Sequence, residues 1–363
     1  MINRSQNEYA PDVVSTPGET VAEVLNERLM TQAELAERTG RPKKTINEII
    51  KGKAAITPET SLQLERVLGI PASFWNNRER HYRVYLARKE EQKQLQVQMG
   101  WLREMPVQHM INRGWVRKCE DKVDQLRELL GFFGVASPEQ WRQMWMAPQA
   151  VFRRSPAFES APCAVATWLR RGEIEARGIS CMPFDRQRFQ HALGLARKLT
   201  LKPPEVFEPE LVRVCAQAGV ALVFLPEIPK SRVSGVARWL NPSKALIQLS
   251  LRYKSDDHLW FTFFHEAGHI LLHGKKEVFV DVEGMKNEKE DEANRFAANK
   301  LIPPLQYRQL IDTAPFSKSK LKSFARQADI APGIVVGRLQ HDGCLPYSYC
   351  NDLKQRLRLF EVS

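Results

Sequence analysis

FTFFHEAGHILLH, residues 261–273, decides how this chain is read. On a helix, His265 and His269 lie one turn apart on one face, so both imidazoles can bind a single ion. Glu266 sits beside them, placed to take a proton from a metal-bound water. Phe261, Phe263, Phe264, Ile270 and Leu271 flank the triplet with apolar surface, so the helix is expected inside a core. In that setting H-E-x-x-H reads as a zinc site that activates water, with Zn2+ as the cofactor and Glu266 as the catalytic base.

The pattern supplies two ligands, and a third has to come from elsewhere. His273 continues the stripe but lies roughly 12 Å along the helix from His265. Residues so spread do not share one tetrahedral ion with bonds of about 2 Å. His273 therefore reads as a packing residue or an outer neighbour of the ligands. The metzincin pattern also fails, because Leu272 and Lys275 stand where it needs Gly and His. NEKEDEANRFAANKLIPP (287–304) offers Glu288, Glu290, Asp291 and Glu292 on a following helix. Glu292 shares a helical face with Phe296 and Asn299, and is the expected third ligand.

Upstream of the zinc helix the periodicity is of the β type. ALVFLPEI (221–228), SGVARWL (234–240) and ALIQLSL (245–251) are short runs separated by Pro229-Lys230-Ser231 and Asn241-Pro242-Ser243. The H-E-x-x-H helix resembles that of the gluzincin peptidases, which implies a peptide substrate paired along an edge strand, with 234–240 and 245–251 as the candidates. No residue stands out as the group that steadies an oxyanion; His258 and Tyr253 are candidates, with a structural role the simpler reading of each. Residues 101–218 read as wholly helical, with Trp101, Trp115, Trp141, Trp145 and Trp168 at core spacing.

The other informative stretch is TQAELAERTGRPKKTINEIIKGKAAITPET, residues 31–60. Leu35 and Ala36 face inward from a short helix, Gly40 makes a turn, and a second helix turns Ile46, Ile49 and Ile50 to the core. Lys43, Lys44, Thr45 and Asn47 are left on the front of that second helix, the surface that enters a major groove. Arg38, Arg41, Lys51 and Lys53 surround it at positions suited to phosphates, and Gln32 begins the first helix. A net charge of +12 and a pI near 9.5 agree with a polyanionic partner. A weaker echo, SFARQADIAPGIVVGRL (323–339), lacks the basic cluster and reads as a structural hairpin.

Bulk composition bounds the rest. With 363 residues, 43% hydrophobic and 26% charged, the chain reads as globular and as more than one domain. No apolar run reaches the roughly 18 residues of a membrane span, and the polar start lacks a secretory core, so a cytoplasmic protein is expected. Six scattered cysteines with no C-x-x-C pair read as reduced thiols. The expected fold class is mainly α with a small α+β zincin-like domain. Its segments are a flexible tail (1–15), a five-helix helix–turn–helix domain (16–76), a linker helix (77–100), a helical middle (101–218), a zinc domain with a short β-sheet (219–312) and a helical C-terminal extension (313–363).

Two family resemblances sharpen these readings. QAELAERTGRPKKTINEIIKGKAAITPETSLQLERVLG, followed by FWNN, resembles the Xre-type repressors and most closely the HigA-like antitoxins. That resemblance implies operator DNA contacts through Gln32, Lys43, Lys44 and Asn47, and a homodimer on inverted repeats. Pro42 departs from the serine common there. HEAGHILLH, EDEANRFAANKLIPP and KALIQLSLRYKSDDHLWFTFF resemble the ImmA/IrrE zinc metallopeptidases. This second resemblance implies a gluzincin-like domain with His265, His269 and Glu292 as ligands, Glu266 as base, and a repressor or antitoxin protein as substrate. Together they imply a DNA-bound regulator carrying its own peptidase. The alternative is a non-proteolytic HigA-type antitoxin whose zinc domain senses or binds a partner such as a cognate toxin.

Overall fold

Threonines and glycines set the helix ends in the first part of the computed structural model, which describes residues 14–146, 161–250, 252, 254–275, 278–282 and 288–357. Helices α1 (Pro17–Glu27), α2 (Gln32–Thr39) and α4 (Pro58–Leu68) follow Thr16, Thr31 and Thr57, whose hydroxyl oxygens accept from the backbone N–H of Glu19, Glu34 and Thr60. Gly40 and Gly69 end α2 and α4 in the left-handed region, at φ 68° and 63°. Between them runs α3 (Lys43–Ile50), and α5 (Ala72–Val97) follows. Val21, Leu25, Leu35, Ile46, Ile49, Leu64, Leu68 and Trp75 form the core of this five-helix domain. Each such aliphatic side chain contributes about 1.5–3 kcal/mol by leaving water.

The chain divides into two compact units, Met1–Met99 and Gly100–Ser363. The charged stretch expected as a linker is a continuation of α5, whose first turns bury Trp75 and Glu79 in the first unit. Glu79 accepts from the Ile56 backbone N–H at 3.1 Å and pairs with Arg83 at 2.6 Å, so this carboxylate ties the loop after α3 to α5.

The second unit opens with α6 (Trp101–Glu104), α7 (Val107–Asn112), α8 (Lys122–Phe133), α9 (Pro138–Trp145), α10 (Pro162–Gly178), α11 (Arg186–Leu199) and α12 (Pro204–Gln217). Trp101, Phe133 and Trp141 pack with ring centroids 5.4–6.0 Å apart, as core aromatics do. Trp115 is only half-buried. Residues 147–160 of the expected helical middle, the first thirteen residues of the expected tail, and Tyr253 lie outside the described residues.

Four strands form one sheet in the order β1 (Val220–Phe224), β3 (Lys244–Leu249), β2 (Val233–Asn241), β4 (Val278–Val282). β1 runs parallel to β3, and the other pairs are antiparallel. The fourth strand falls where the sequence reading continued a helical pattern. Its arrival also corrects the expected substrate edge: 234–240 pairs on both sides, and 245–249 lies between β1 and β2, so neither is an edge. Among the described strands the edges are β1 and β4.

Alternation splits β2 and β3 between two faces. Arg238 and Gln248 point to α10, where they donate to the backbone carbonyls of Leu169 and Trp168. Gly235 faces α13 (Asp256–Leu272) on the other side. α13 is apolar nearly all round, which is why it is buried rather than amphipathic. It is followed by α14 (Glu288–Leu301), α15 (Pro304–Ile311), α16 (Lys318–Gln327) and α17 (Pro332–His341). Leu321, Ala325, Val335, Val336 and Leu339 of the last two helices share one core with α13 and the sheet, so the C-terminal helices are built into this unit. α17 approaches the start of α13 through two glycines: a Cβ on Gly333 would stand 2.4 Å from the Asp256 carboxylate, and one on Gly337 2.6 Å from that of Asp257.

Candidate metal centre and DNA-reading helix

α13 holds His265 and His269 one turn apart, with their Nε2 atoms 2.9 Å from each other. Both rings are buried, at 2% exposure. The carboxylate that joins them belongs to Glu290: its Oε2 lies 3.0 Å from His265 Nε2 and 3.5 Å from His269 Nε2. Among the described residues, His265, His269 and Glu290 are the set whose donor atoms converge within 4.8 Å.

Glu292, the expected third ligand, points elsewhere. Its side chain is 47% exposed and its Oε2 meets His273 Nε2 at 3.1 Å. The physical reason is the phase of α14. Glu290, Ala293, Ala297 and Leu301 form its buried stripe at i, i+3, i+7 and i+11, whereas Asn299, used to place Glu292, is exposed. Ala293, Ala297 and Leu301 share that stripe in the sequence, but the angle that turns it toward α13 comes from the packing of the two helices.

The donor set suits a divalent ion. Four ligands at about 2.0–2.1 Å in tetrahedral array lie about 3.3 Å apart, close to the separations found here. Burial holds the His269 imidazole down to about 4, with Glu290 opposing that shift, so the ring is neutral at physiological pH. Burial pushes the Glu290 carboxyl up, but the two imidazoles outweigh it and bring it to about 2. Two imidazoles and one carboxylate are ligands that zinc takes in a hydrolytic centre.

Glu266 is fully buried on the same turn as His265, against β2. An added Cβ at Gly235 would lie 2.5 Å from Glu266 Oε1 and 2.7 Å from Thr262 Cγ2, so only glycine there leaves the carboxylate room. Asn294 Oδ1 meets His265 Nδ1 at 2.9 Å, and His273 Nδ1 meets His269 Nδ1 at 2.9 Å. Gly235 lies outside every motif in the sequence, and Asn294 falls inside EDEANRFAANKLIPP, where nothing in the local pattern marks it as a partner of His265. His258, seven residues before His265, lines a cavity of about 130 Å³ together with Phe261, Leu301, Ile334 and Tyr347.

In the first unit, α3 presents Lys43 and Lys44 exposed, with Thr45 and Asn47 half-buried, while Ile46 and Ile49 turn inward. Lys51 and Lys53 are exposed on the following loop, and Gln32 is half-buried at the start of α2. Arg41 differs from the rest: its Nε donates to Gln63 at 2.5 Å and its guanidinium pairs with Glu59 at 3.1 Å. With its side chain 18% exposed, Arg41 braces α4 instead of standing out as a phosphate contact.

Two family models match the chain, helix-turn-helix over residues 21–75 and IrrE N-terminal-like domain over residues 215–326. The chain joins a helix-turn-helix domain to an IrrE N-terminal-like domain. The second model covers the sheet from β1, the whole of α13 and α14, and therefore all three converging donors; it is a peptidase family model. The first covers α2, α3 and α4 in full. Among solved structures, the chain is similar to an addiction module antidote protein of a HigA family from Coxiella burnetii, at 30% identity over 23% of this chain and 91% of that one, with a TM-score of 0.22. It is also similar to a putative antidote protein of a plasmid maintenance system from Nostoc punctiforme, at 29% identity over 23% and 93%, with a TM-score of 0.21. No curated protein matches the chain. No helix among the described residues is long and apolar enough to cross a membrane.

Proposed function

We propose that the chain is a transcription regulator that binds double-stranded operator DNA as a homodimer in the cytoplasm and carries a zinc-dependent endopeptidase, which cleaves a repressor or antitoxin protein, or the chain itself. The observation that carries the peptidase reading is the convergence of His265 Nε2, His269 Nε2 and Glu290 Oε2 one residue away from the buried carboxylate of Glu266. Zinc bound there would polarise the scissile carbonyl and acidify a water.

The protein's own groups do the rest. His265, His269 and Glu290 would hold the ion through two imidazole nitrogens and one carboxylate oxygen. Glu266 accepts the proton of the attacking water and passes it to the leaving nitrogen. Edge strand β4 offers main-chain groups along which a substrate segment pairs. On the DNA side, Lys43, Lys44, Thr45 and Asn47 reach into the major groove, with Gln32, Lys51 and Lys53 beside them on base edges or phosphates.

The deciding experiment incubates zinc-loaded protein with repressors and antitoxins encoded beside its gene, in parallel with Glu266→Gln. Cleavage by the wild type, lost in Glu266→Gln with zinc retained, is the expected result. Equal cleavage by both, or a wild type that holds no zinc, overturns the peptidase reading.

A further inference from the structure

The stretch beyond the zinc ligands contains a second line of hydrogen bonds. We propose, resting on the zinc reading above, that His273 and Glu292 are positioning residues that fix which nitrogen of His269 faces the metal. The reasoning is one of proton count. His269 Nδ1 and His273 Nδ1 lie 2.9 Å apart, so one carries a proton and the other accepts it. Nε2 of His269 is the atom that faces His265 Nε2 and Glu290 Oε2, so it has to be bare to bind an ion. The proton of His269 then sits on Nδ1 and is donated to His273. His273 in turn has a bare Nδ1 and its proton on Nε2, which is where Glu292 Oε2 accepts at 3.1 Å. Each link has a single solution, and the carboxylate at the end selects it.

His265 is held by a shorter line of the same kind. Its Nδ1 donates to Asn294 Oδ1 at 2.9 Å, which leaves Nε2 for the ion. Glu290, Glu292 and Asn294 thus alternate along α14: the first is directed at the ion, the other two at the ligand rings, one of them through His273. His273 is 3% exposed at its side chain and Glu292 47%, so the His269 line runs from the buried ligand to the surface. Without the carboxylate, the hydrogen bond that holds the His273 proton on Nε2 is lost, and the tautomer with that proton on Nδ1 is no longer disfavoured. Two N–H groups would then face each other, and His269 would have to move its proton to Nε2, the metal-facing atom.

The test uses the full chain, stripped of metal and titrated with Zn2+ in competition with a chromophoric chelator. Glu292→Ala and His273→Phe are expected to lower zinc affinity by about 10–100-fold. Glu292→Gln, whose amide oxygen still accepts from His273 Nε2–H, is expected to lose less than Glu292→Ala. Thermal unfolding of metal-free Glu292→Ala is expected to match the wild type, which separates positioning from loss of structure. Nitrogen-15 NMR of the zinc-loaded wild type should show His269 protonated at Nδ1 and His273 at Nε2. Zinc affinity unchanged in both Glu292→Ala and His273→Phe, or His273 protonated at Nδ1, overturns this proposal while leaving the metal site standing. A wild type that binds no zinc overturns both.

Discussion

Glu290 Oε2 stands 3.0 Å from His265 Nε2, while Glu292, two residues along the same helix, reaches His273. The proposed ligand and its proposed outer support are therefore interleaved near the start of α14, and substitution separates them. Glu290→Ala should reduce zinc affinity by more than about 100-fold, beyond the range expected of an outer hydrogen-bond partner. Chelator competition measures it, and near-wild-type affinity in Glu290→Ala would remove this residue from the ligand set.

Gly235 tests the seat of the base. A methyl group at 2.5 Å from Glu266 Oε1 and 2.9 Å from its Cγ has to displace the carboxylate or β2. Gly235→Ala is expected to lower hydrolysis by about 100-fold or more, the scale of a lost general base, while zinc stays bound. Overpacking should also destabilise the unit by about 1–3 kcal/mol. Zinc content and turnover measured on the same sample check the split; full activity would show that Glu266 does not need the space.

Asp256 gives the fold a pH dependence. Burial, with Asp257 adding to it, raises its carboxyl to about 6, against the N–H donors of Gln355 and Asp257 that favour the ionised form. A carboxyl raised on folding binds its proton more tightly in the native state, so the contribution of Asp256 to stability is fully present below about pH 4, falls as pH rises to about 6, and is level above. The shift corresponds to about 3 kcal/mol. Asp256→Asn keeps the Oδ1 acceptor and should be more stable than the wild type at pH 7.5, with the advantage shrinking by pH 4.5. Denaturant midpoints at the two pH values decide it; an advantage independent of pH would mean that ionisation is not the cause.

The DNA-reading surface divides by role. Asn47→Ala should weaken binding to the cognate operator by about 1–3 kcal/mol while leaving non-specific binding in place. Lys53→Ala should weaken binding to all sequences and reduce the salt slope by about 1. Arg41→Ala should instead lower the melting temperature of the first unit, because Arg41 holds Gln63 and Glu59. Fluorescence anisotropy over a salt series, with thermal melts, distinguishes the three; an Arg41→Ala that melts normally but loses a salt-slope unit would return that residue to the phosphate contacts.

Much of this architecture was legible because it depends on short-range rules. Thr31, Gly40 and Thr57 mark helix ends through their own backbone neighbours, and the 3.6-residue spacing of Ile46 and Ile49 orients α3 without reference to the rest of the chain. His265 and His269 are adjacent on any helix. The strand β4 was missed because its five residues follow a Gly274 break and pair with β2 from about 40 residues away, a distance over which local pattern carries no information.

The chain's linear order was enough to establish a helix–turn–helix segment, a buried H-E-x-x-H helix and an acidic helix after it, since each follows from residues within a few positions of one another. Which acid meets the histidines was settled only by packing. α13 and α14 touch where Gly268, lacking a side chain, faces Ala293 and Phe296; a Cβ there would lie 3.3 Å from the Ala293 Cα. That close contact sets the rotation of α14, turns Glu290 inward and leaves Glu292 at the rim. A helix rotates by about 100° per residue, so two positions separate a ligand from a neighbour, and only the partner helix fixes the angle.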